Sequence, residues 1–222
     1  MVFPGAQALF AQGCCGNVNS EPVGGSWADV WRLGTILAGA VVKTAAEIRT
    51  EPEAKLACAY KPLEIPLEDP PPVEEAEAEW EAASAKLAEA EAQGDATRVR
   101  VQRGNVEWRE KLLKLAREGA KNLKMRYDLQ ALAINDAAIV GLPGEVFVEY
   151  QLNIAAQSPF GFTSVLGVTN GCPCYIPTAA EFPHGGYEVE ESVKLYGVTK
   201  LSPAIEQTIL GGAQELLAEL KG

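Results

Sequence analysis

The sequence predicts an α/β fold, a mixed β-sheet flanked by helices, with an antiparallel helical hairpin protruding from it. Three observations carry this. Short apolar runs rich in alternating or β-branched residues, at 55–60, 130–134, 137–141 and 163–169, read as strands. Capped stretches with apolar residues at helical spacing lie between and around them. Residues 73–127 differ from the rest, with apolar positions repeating every seven residues in two arms of opposite charge.

Composition sets the frame for these elements. With 222 residues, nearly half of them apolar, the chain is long enough for one sizeable core, or one domain with an appendage. The net charge of -11 argues against nucleic acid, whose binding needs clustered Lys and Arg to meet phosphates. No apolar run approaches the ~20 residues of a transmembrane helix. The start at Met1 shows no basic region and no signal-peptide hydrophobic block, and a cytoplasmic location is the default expectation. Five cysteines are an odd number, which leaves at least one unpaired and points to a reducing compartment. The single histidine cannot fill the roles that catalytic triads and most catalytic zinc sites give to that residue.

In chain order, residues 1–25 read as a glycine-rich loop or buried strand end. Ser26, with Asp29 three residues on, is a capping box that opens an amphipathic helix to about Ile48. Trp27, Val30, Trp31, Gly34, Leu37, Ala38, Val41, Ala45 and Ile48 should face the core, and Glu51-Pro52 should end the helix. A strand over 55–60 is followed by alternation at Leu63, Ile65 and Leu67. Cys58 is expected as a small buried hydrophobe.

The hairpin follows. Val73, Trp80 and Leu87 form one seven-residue series, Ala76, Ala83 and Ala90 another, and Val101, Trp108 and Leu115 a third beyond the break at Gly94-Asp95. The first arm is loaded with Glu. The second carries Arg98, Arg100, Arg103, Arg109, Lys111, Lys114 and Arg117, continuing to Lys121, Lys124 and Arg126. Opposite charge across a short break favours arms that neutralise each other over a nucleic-acid or lipid-headgroup surface. The expected division is a first part of the α/β domain over 1–69, a hairpin insertion over 70–127 and a second part over 128–222.

The second part supplies the candidate site. Asn135-Asp136 suits a two-residue turn between strands. The strand at 137–141 feeds Leu142-Pro143-Gly144-Glu145, and a helix is expected from Glu145 to about Gln157. A carboxylate in a first helical turn stays ionised there, available as ligand or base. The run 163–169 ends at Asn170, with Tyr175 on the loop beyond, where open α/β sheets place their sites. Ser202-Pro203 should start a last helix with Ile205, Ile209, Leu216, Leu217 and Leu220 apolar. A competing constellation is Cys14, Cys15, Cys172 and Cys174, four thiols that would make a zinc site if their loops met, against the plainer reading as ordinary thiols.

Leu142-Pro143-Gly144-Glu145, Asn170 with Tyr175, Tyr175-Ile176-Pro177-Thr178 and Gly186-Tyr187-Glu188, taken in order, resemble the neutral, non-lysosomal ceramidases and their bacterial relatives. Residues 10–19 are similar to the family's glycine-Asp/Asn-hydrophobic segment. The resemblance implies the C-terminal part of the catalytic domain of a zinc amidohydrolase that attacks an N-acyl amide with metal-activated water. It places Glu145 and Tyr175 as zinc ligands and Tyr187 as the phenol facing the oxyanion. It puts Asn17, Asn19 and Asn170 on loops near the site. Zinc fits such chemistry because it lowers the pKa of bound water toward ~7 and polarises the carbonyl. Two departures stand out. Asn19 occupies the place of the family's serine, with Ser20 one residue late, and the family's two histidine ligands have no counterpart here. The chain is then part of a longer protein, works with a second chain that supplies histidines, or is a non-catalytic binding or structural module that keeps the fold. The expected partners are a small-molecule or lipid amide and that missing half, with no nucleic acid and no transmembrane segment.

Overall fold

A computed structural model describes residues 4–50 and 52–222. Met1–Phe3, part of the stretch read for a leader, and Glu51, read with Pro52 as a helix stop, lie outside the described residues.

The centre is a four-stranded mixed sheet flanked by helices. β1 (Leu56–Pro66), β2 (Lys124–Ile134), β3 (Ala137–Gly141) and β5 (Phe162–Leu166) lie in the order β1-β2-β3-β5. The first two pairings are antiparallel and β3/β5 is parallel. A parallel step needs a crossover, and α4 (Val148–Ala156) supplies it between β3 and β5. One sheet face, with Tyr127, Leu129, Ala131, Val140 and Val165, is buried under Tyr150 and Ile154 of α4. The terminal helix α6 (Ile205–Lys221) adds Ile205, Ile209, Ala213, Leu216 and Leu217 to the same core, with Leu220 half-buried against it. The opposite face leaves Leu132, Ile134 and Phe162 exposed.

β1 and β2 pair over their full length, from Leu56 opposite Ile134 to Pro66 opposite Lys124. The alternation at 63–67 therefore belongs to the same strand as 55–60. The helical hairpin is the connection between these two strands: α2 (Val73–Gln93) and α3 (Ala96–Arg117). Ala76, Ala83 and Ala90 are the buried residues of α2, because a seam of small side chains lets the helices approach closely. Gly94 takes a left-handed φ of 70° to end α2, and Asp95 caps α3 by accepting from the amides of Thr97 and Arg98. Arg117–Glu77 at 2.7 Å, Arg103–Glu91 at 3.3 Å and the pair Arg109–Glu79 tie the basic arm to the acidic one. Such exposed pairs contribute little stability individually, but they do neutralise the basic face.

Several expectations are corrected. The capping box at Ser26 and Asp29 forms, and α1 runs Trp27–Glu47, yet no residue of α1 is buried and Trp27 remains 81% exposed. Its apolar stripe faces no core, since among the described residues no other element packs on it. Cys58 is exposed, because it lies on the uncovered face of the sheet. Lys124 and Arg126 lie in β2 and Lys121 in the loop before it, since α3 ends at Arg117. Val101 is exposed; Trp108, Leu112 and Leu113 are the buried residues of α3. Glu145 is not helical. It starts a two-residue strand, β4 (Glu145–Val146), and α4 begins three residues later, so the helix dipole is not what acts on its carboxylate. Tyr175 lies in β6 (Tyr175–Ile176), not on a loop.

Candidate functional site

The site is built where the main sheet ends and β4 and β6 form a second, parallel ladder with Glu145 opposite Tyr175. Several backbone features force this exit. The Tyr127 hydroxyl, buried in the core, donates to the Pro143 carbonyl at 2.7 Å. Gly144 has φ +87°, and a Cβ there would lie 2.6 Å from the Cys174 carbonyl oxygen. Only glycine fits such a turn against another backbone. The Gly144 amide then donates to Gly171 and the Glu145 amide to Cys174, each at 3.0 Å, which draws the loop before β6 alongside. On the other flank the Gly16 amide donates to Val146 at 2.8 Å, and a Cβ on Gly16 would lie 2.3 Å from the Glu145 carbonyl oxygen. The glycine-rich opening segment is thus laid against β4 from outside.

Register partners on adjacent parallel strands sit about 4.8 Å apart with side chains on the same face. The Tyr175 phenol and the Glu145 carboxylate are accordingly neighbours on one face of the ladder. The phenol that donates to this carboxylate, at Glu145 Oε1, is Tyr196. Tyr196 closes α5 (Ser192–Tyr196), and Cys172 Sγ lies 3.8 Å from its hydroxyl. The Tyr175 ring stands between two others, edge-on to Tyr187 at 5.6 Å and to Tyr196 at 6.3 Å between centroids. Tyr187, on a π-helical turn over Tyr187–Glu191, is 48% exposed, and its hydroxyl takes part in no hydrogen bond among the described residues. Glu145, Tyr175 and Tyr187 therefore come together, although they lie on separate elements.

The phenols of Tyr175 and Tyr196 are both pushed above the ordinary tyrosine range. For Tyr175 desolvation is the main cause, followed by the neighbouring Glu145 carboxylate and its charge. For Tyr196 the order is desolvation, the Glu145 hydrogen bond, then Cys172. At neutral pH both are protonated, and Tyr196 is a neutral donor to the carboxylate. Cys15, beside the site, is raised by burial and then by the Glu145 charge.

The remaining expected residues have local roles. Asn17 caps α4 from outside: its Oδ1 accepts from the Val148 amide at 2.8 Å while its Nδ2 donates to Glu149 at 2.9 Å. Asn170, at φ 62°, donates to Gln130 Oε1 at 3.2 Å. Asn19 is exposed, and its side chain makes no hydrogen bond among the described residues. His184 is exposed on a short 3-10 turn. The four thiols do not gather: Cys14 and Cys174 point into the core, Cys15 is half-buried and Cys172 exposed. Neighbours in an extended chain face opposite ways, which separates Cys14 from Cys15.

Among the described residues no group of three or more His, Cys, Asp or Glu side chains is placed to hold a metal. A catalytic zinc takes about three protein ligands, and this chain offers one carboxylate and neighbouring phenols. The residues present do not make up a zinc site by themselves. Tyr196 escaped the sequence reading, because nothing local marks a tyrosine before Gly197 as anything other than a helix end. A groove of about 830 Å³ runs between α3 and the 187–197 segment, bordered by Trp108, Lys111, Tyr187, Leu195 and Tyr196.

No family model matches the chain, and no curated protein matches it. Among solved structures, a ceramidase described as complexed with C2 aligns at a TM-score of 0.36 and 16% identity, over 49% of this chain and 19% of that one. The neutral ceramidase of Pseudomonas aeruginosa aligns at 0.33 and 21% identity, over 43% of this chain and 16% of that one. The matched region spans under a fifth of either protein. Likeness at this level carries no statement about chemistry.

Proposed function

We propose that this chain carries the carboxylate–phenol half of a zinc-dependent amidohydrolase centre of the neutral ceramidase type. In this reading Glu145 and Tyr175 take two positions on the metal, and histidines from outside these 222 residues take the others. The observation that carries the reading is the convergence of Glu145, Tyr175 and Tyr187 from three elements onto one patch beside an open groove. Residues of this chain would then act as follows. Glu145 supplies negative charge, held in place by the Tyr196 hydroxyl that donates to it. Tyr187, whose hydroxyl is uncommitted, donates to the oxygen that gains charge as an amide carbonyl becomes tetrahedral, an interaction comparable to one oxyanion-hole donor at about 3 kcal/mol. The substrate class is an N-acyl amide, and the groove between α3 and the 187–197 segment offers room for part of it.

The test uses zinc with added imidazole to stand in for the missing histidines. Coordination by Tyr175 must deprotonate its phenol, so the expected result is a tyrosinate difference absorption that saturates with zinc only when imidazole is present. Loss of that signal in both Glu145→Gln and Tyr175→Phe supports the assignment. Tight stoichiometric zinc without imidazole, or zinc binding that survives both substitutions, overturns it.

The absence of a three-ligand cluster among the described residues favours a second reading, a non-catalytic module in which the tyrosines and Glu145 are a structural knot. Under that reading zinc with imidazole gives no tyrosinate signal.

A further inference from the structure

The helical hairpin supplies one wall of the groove and no ligand to the proposed centre, yet it also reaches the site through direct contacts. Trp108 of α3 is 5% exposed and packs with Leu112 and Val193, the last from α5. Its indole Nε1 donates to the Val198 carbonyl at 2.6 Å. One turn further along α3, Lys111 Nζ donates to the Gly197 carbonyl at 2.6 Å. These two donors grip successive carbonyls of the turn that follows Tyr196. Gly197 is left-handed at φ 66°, and its amide and that of Val198 both return to the Val193 carbonyl, so the turn is a closed helix end. Tyr196 lies inside this clamped segment, between Val193 and Val198, and its phenol is on Glu145.

We propose that Tyr196 is a positioning residue for Glu145, and that the hairpin sets its place by holding the Gly197–Val198 turn through Trp108 and Lys111. The inference rests on the hydrolase reading only in taking Glu145 as the working carboxylate. The physical need is clear. A glutamate on a two-residue strand has three rotatable side-chain bonds, and its own strand does not fix its carboxylate plane. Tyr175 flanks the group from the strand beside it, and Tyr196 donates to it from a different element. The carboxylate is thus held by a donor anchored independently of its own ladder. A site held to within a fraction of an ångström needs such support from rigid elements. The ion pairs between the hairpin arms, worth little one by one, then serve to keep α3 straight at the position where it meets the turn.

The test places 3-fluorotyrosine at position 196 of the full chain and reads its fluorine resonance at fixed neutral pH, without metal. Glu145→Gln is expected to shift the resonance, because the charged acceptor is lost. Lys111→Met and Trp108→Phe are expected to shift it the same way, since the phenol leaves its partner. Lys114→Met, an exposed lysine on the same helix, is expected to leave it in place. If Lys111→Met and Trp108→Phe lower the melting temperature but leave the folded-state resonance unmoved, the hairpin is only a stabiliser and the proposal is overturned. If Glu145→Gln leaves the resonance unmoved, the Tyr196 contact itself is refuted. Neither outcome depends on zinc, so failure here is separable from failure of the hydrolase reading.

Discussion

Glu145 and Tyr175 are register partners across a parallel ladder two residues long, and this pairing places a carboxylate and a phenol on one face. Thirty residues of chain separate them, including all of α4 and β5. The contact therefore exists only because Gly144 and Gly16 let backbones pass on either side of β4.

The charge on Glu145 is expected to stabilise the native state through the Tyr196 hydroxyl that donates to it. A hydrogen bond to a charged group contributes about 1.5–3 kcal/mol and one to a neutral group about 0.5–1.5. Glu145→Gln should therefore cost about 1–2 kcal/mol, read as a lowered urea midpoint at unchanged slope. An unchanged midpoint would mean that the carboxylate is solvated in the folded protein.

Substitution at two left-handed glycines should separate strain from clash. Gly94 has open space around it, so Gly94→Ala costs only the left-handed penalty of about 1–2 kcal/mol. Gly144→Ala carries that penalty and also drives a methyl to 2.6 Å from the Cys174 carbonyl oxygen. It should cost about 2 kcal/mol more, or leave β4 and β6 unpaired. Equal melting temperatures for the two variants would contradict the close approach.

Alkali should destabilise the protein from about pH 9. Burial pushes the thiols of Cys14 and Cys174 up to about 12 from 9.0. Below pH 9 both states hold these protons and the contribution is fully present. As pH rises from 9 toward 12 the unfolded chain releases them first, so unfolding becomes more favourable. The raised phenols of Tyr127, Tyr150, Tyr175 and Tyr196 add to the loss above pH 10. The check is melting temperature against pH. A curve flat to pH 11 would mean that the thiols are exposed. Thiol titration at pH 8 should likewise modify Cys58 and Cys172 readily, with Cys14 and Cys174 reacting only in denaturant.

The tryptophans divide by element. Trp27 and Trp31 on α1 are exposed, so replacing either by Ala should change stability by less than about 0.5 kcal/mol. Trp108→Ala removes a buried ring and should cost about 3–5 kcal/mol in equilibrium unfolding. A large loss from Trp31→Ala would show that α1 packs on something in solution.

Much of the fold was legible locally. The turn at Asn135-Asp136, the cap at Ser26 and the seven-residue alanine seam depend on neighbours close in sequence, and each is found. The last helix also forms, but it starts at Ile205 behind Ala204 and not at Ser202-Pro203, which make the turn before it. What misled was inference from pattern to burial. The stripe on α1 has helical spacing, but spacing says only which side is apolar, not whether anything covers it. Leu142-Pro143-Gly144-Glu145 reads locally as strand, turn and helix, yet hydrogen bonds to residues 171 and 174 capture Glu145 into a ladder before α4 starts. Asn17, expected near the site, caps a helix more than a hundred residues away along the chain.

The sequence alone determined that this is a mixed α/β protein with a charge-paired helical hairpin, because periodicity, capping and turn chemistry are short-range properties. Only the tertiary structure decided that Glu145 meets Tyr175 and Tyr196, and that the hairpin holds the turn beside them. Those contacts join residues from separate elements, and their geometry is set by backbone register and by where two glycines let strands pass, which no local pattern encodes.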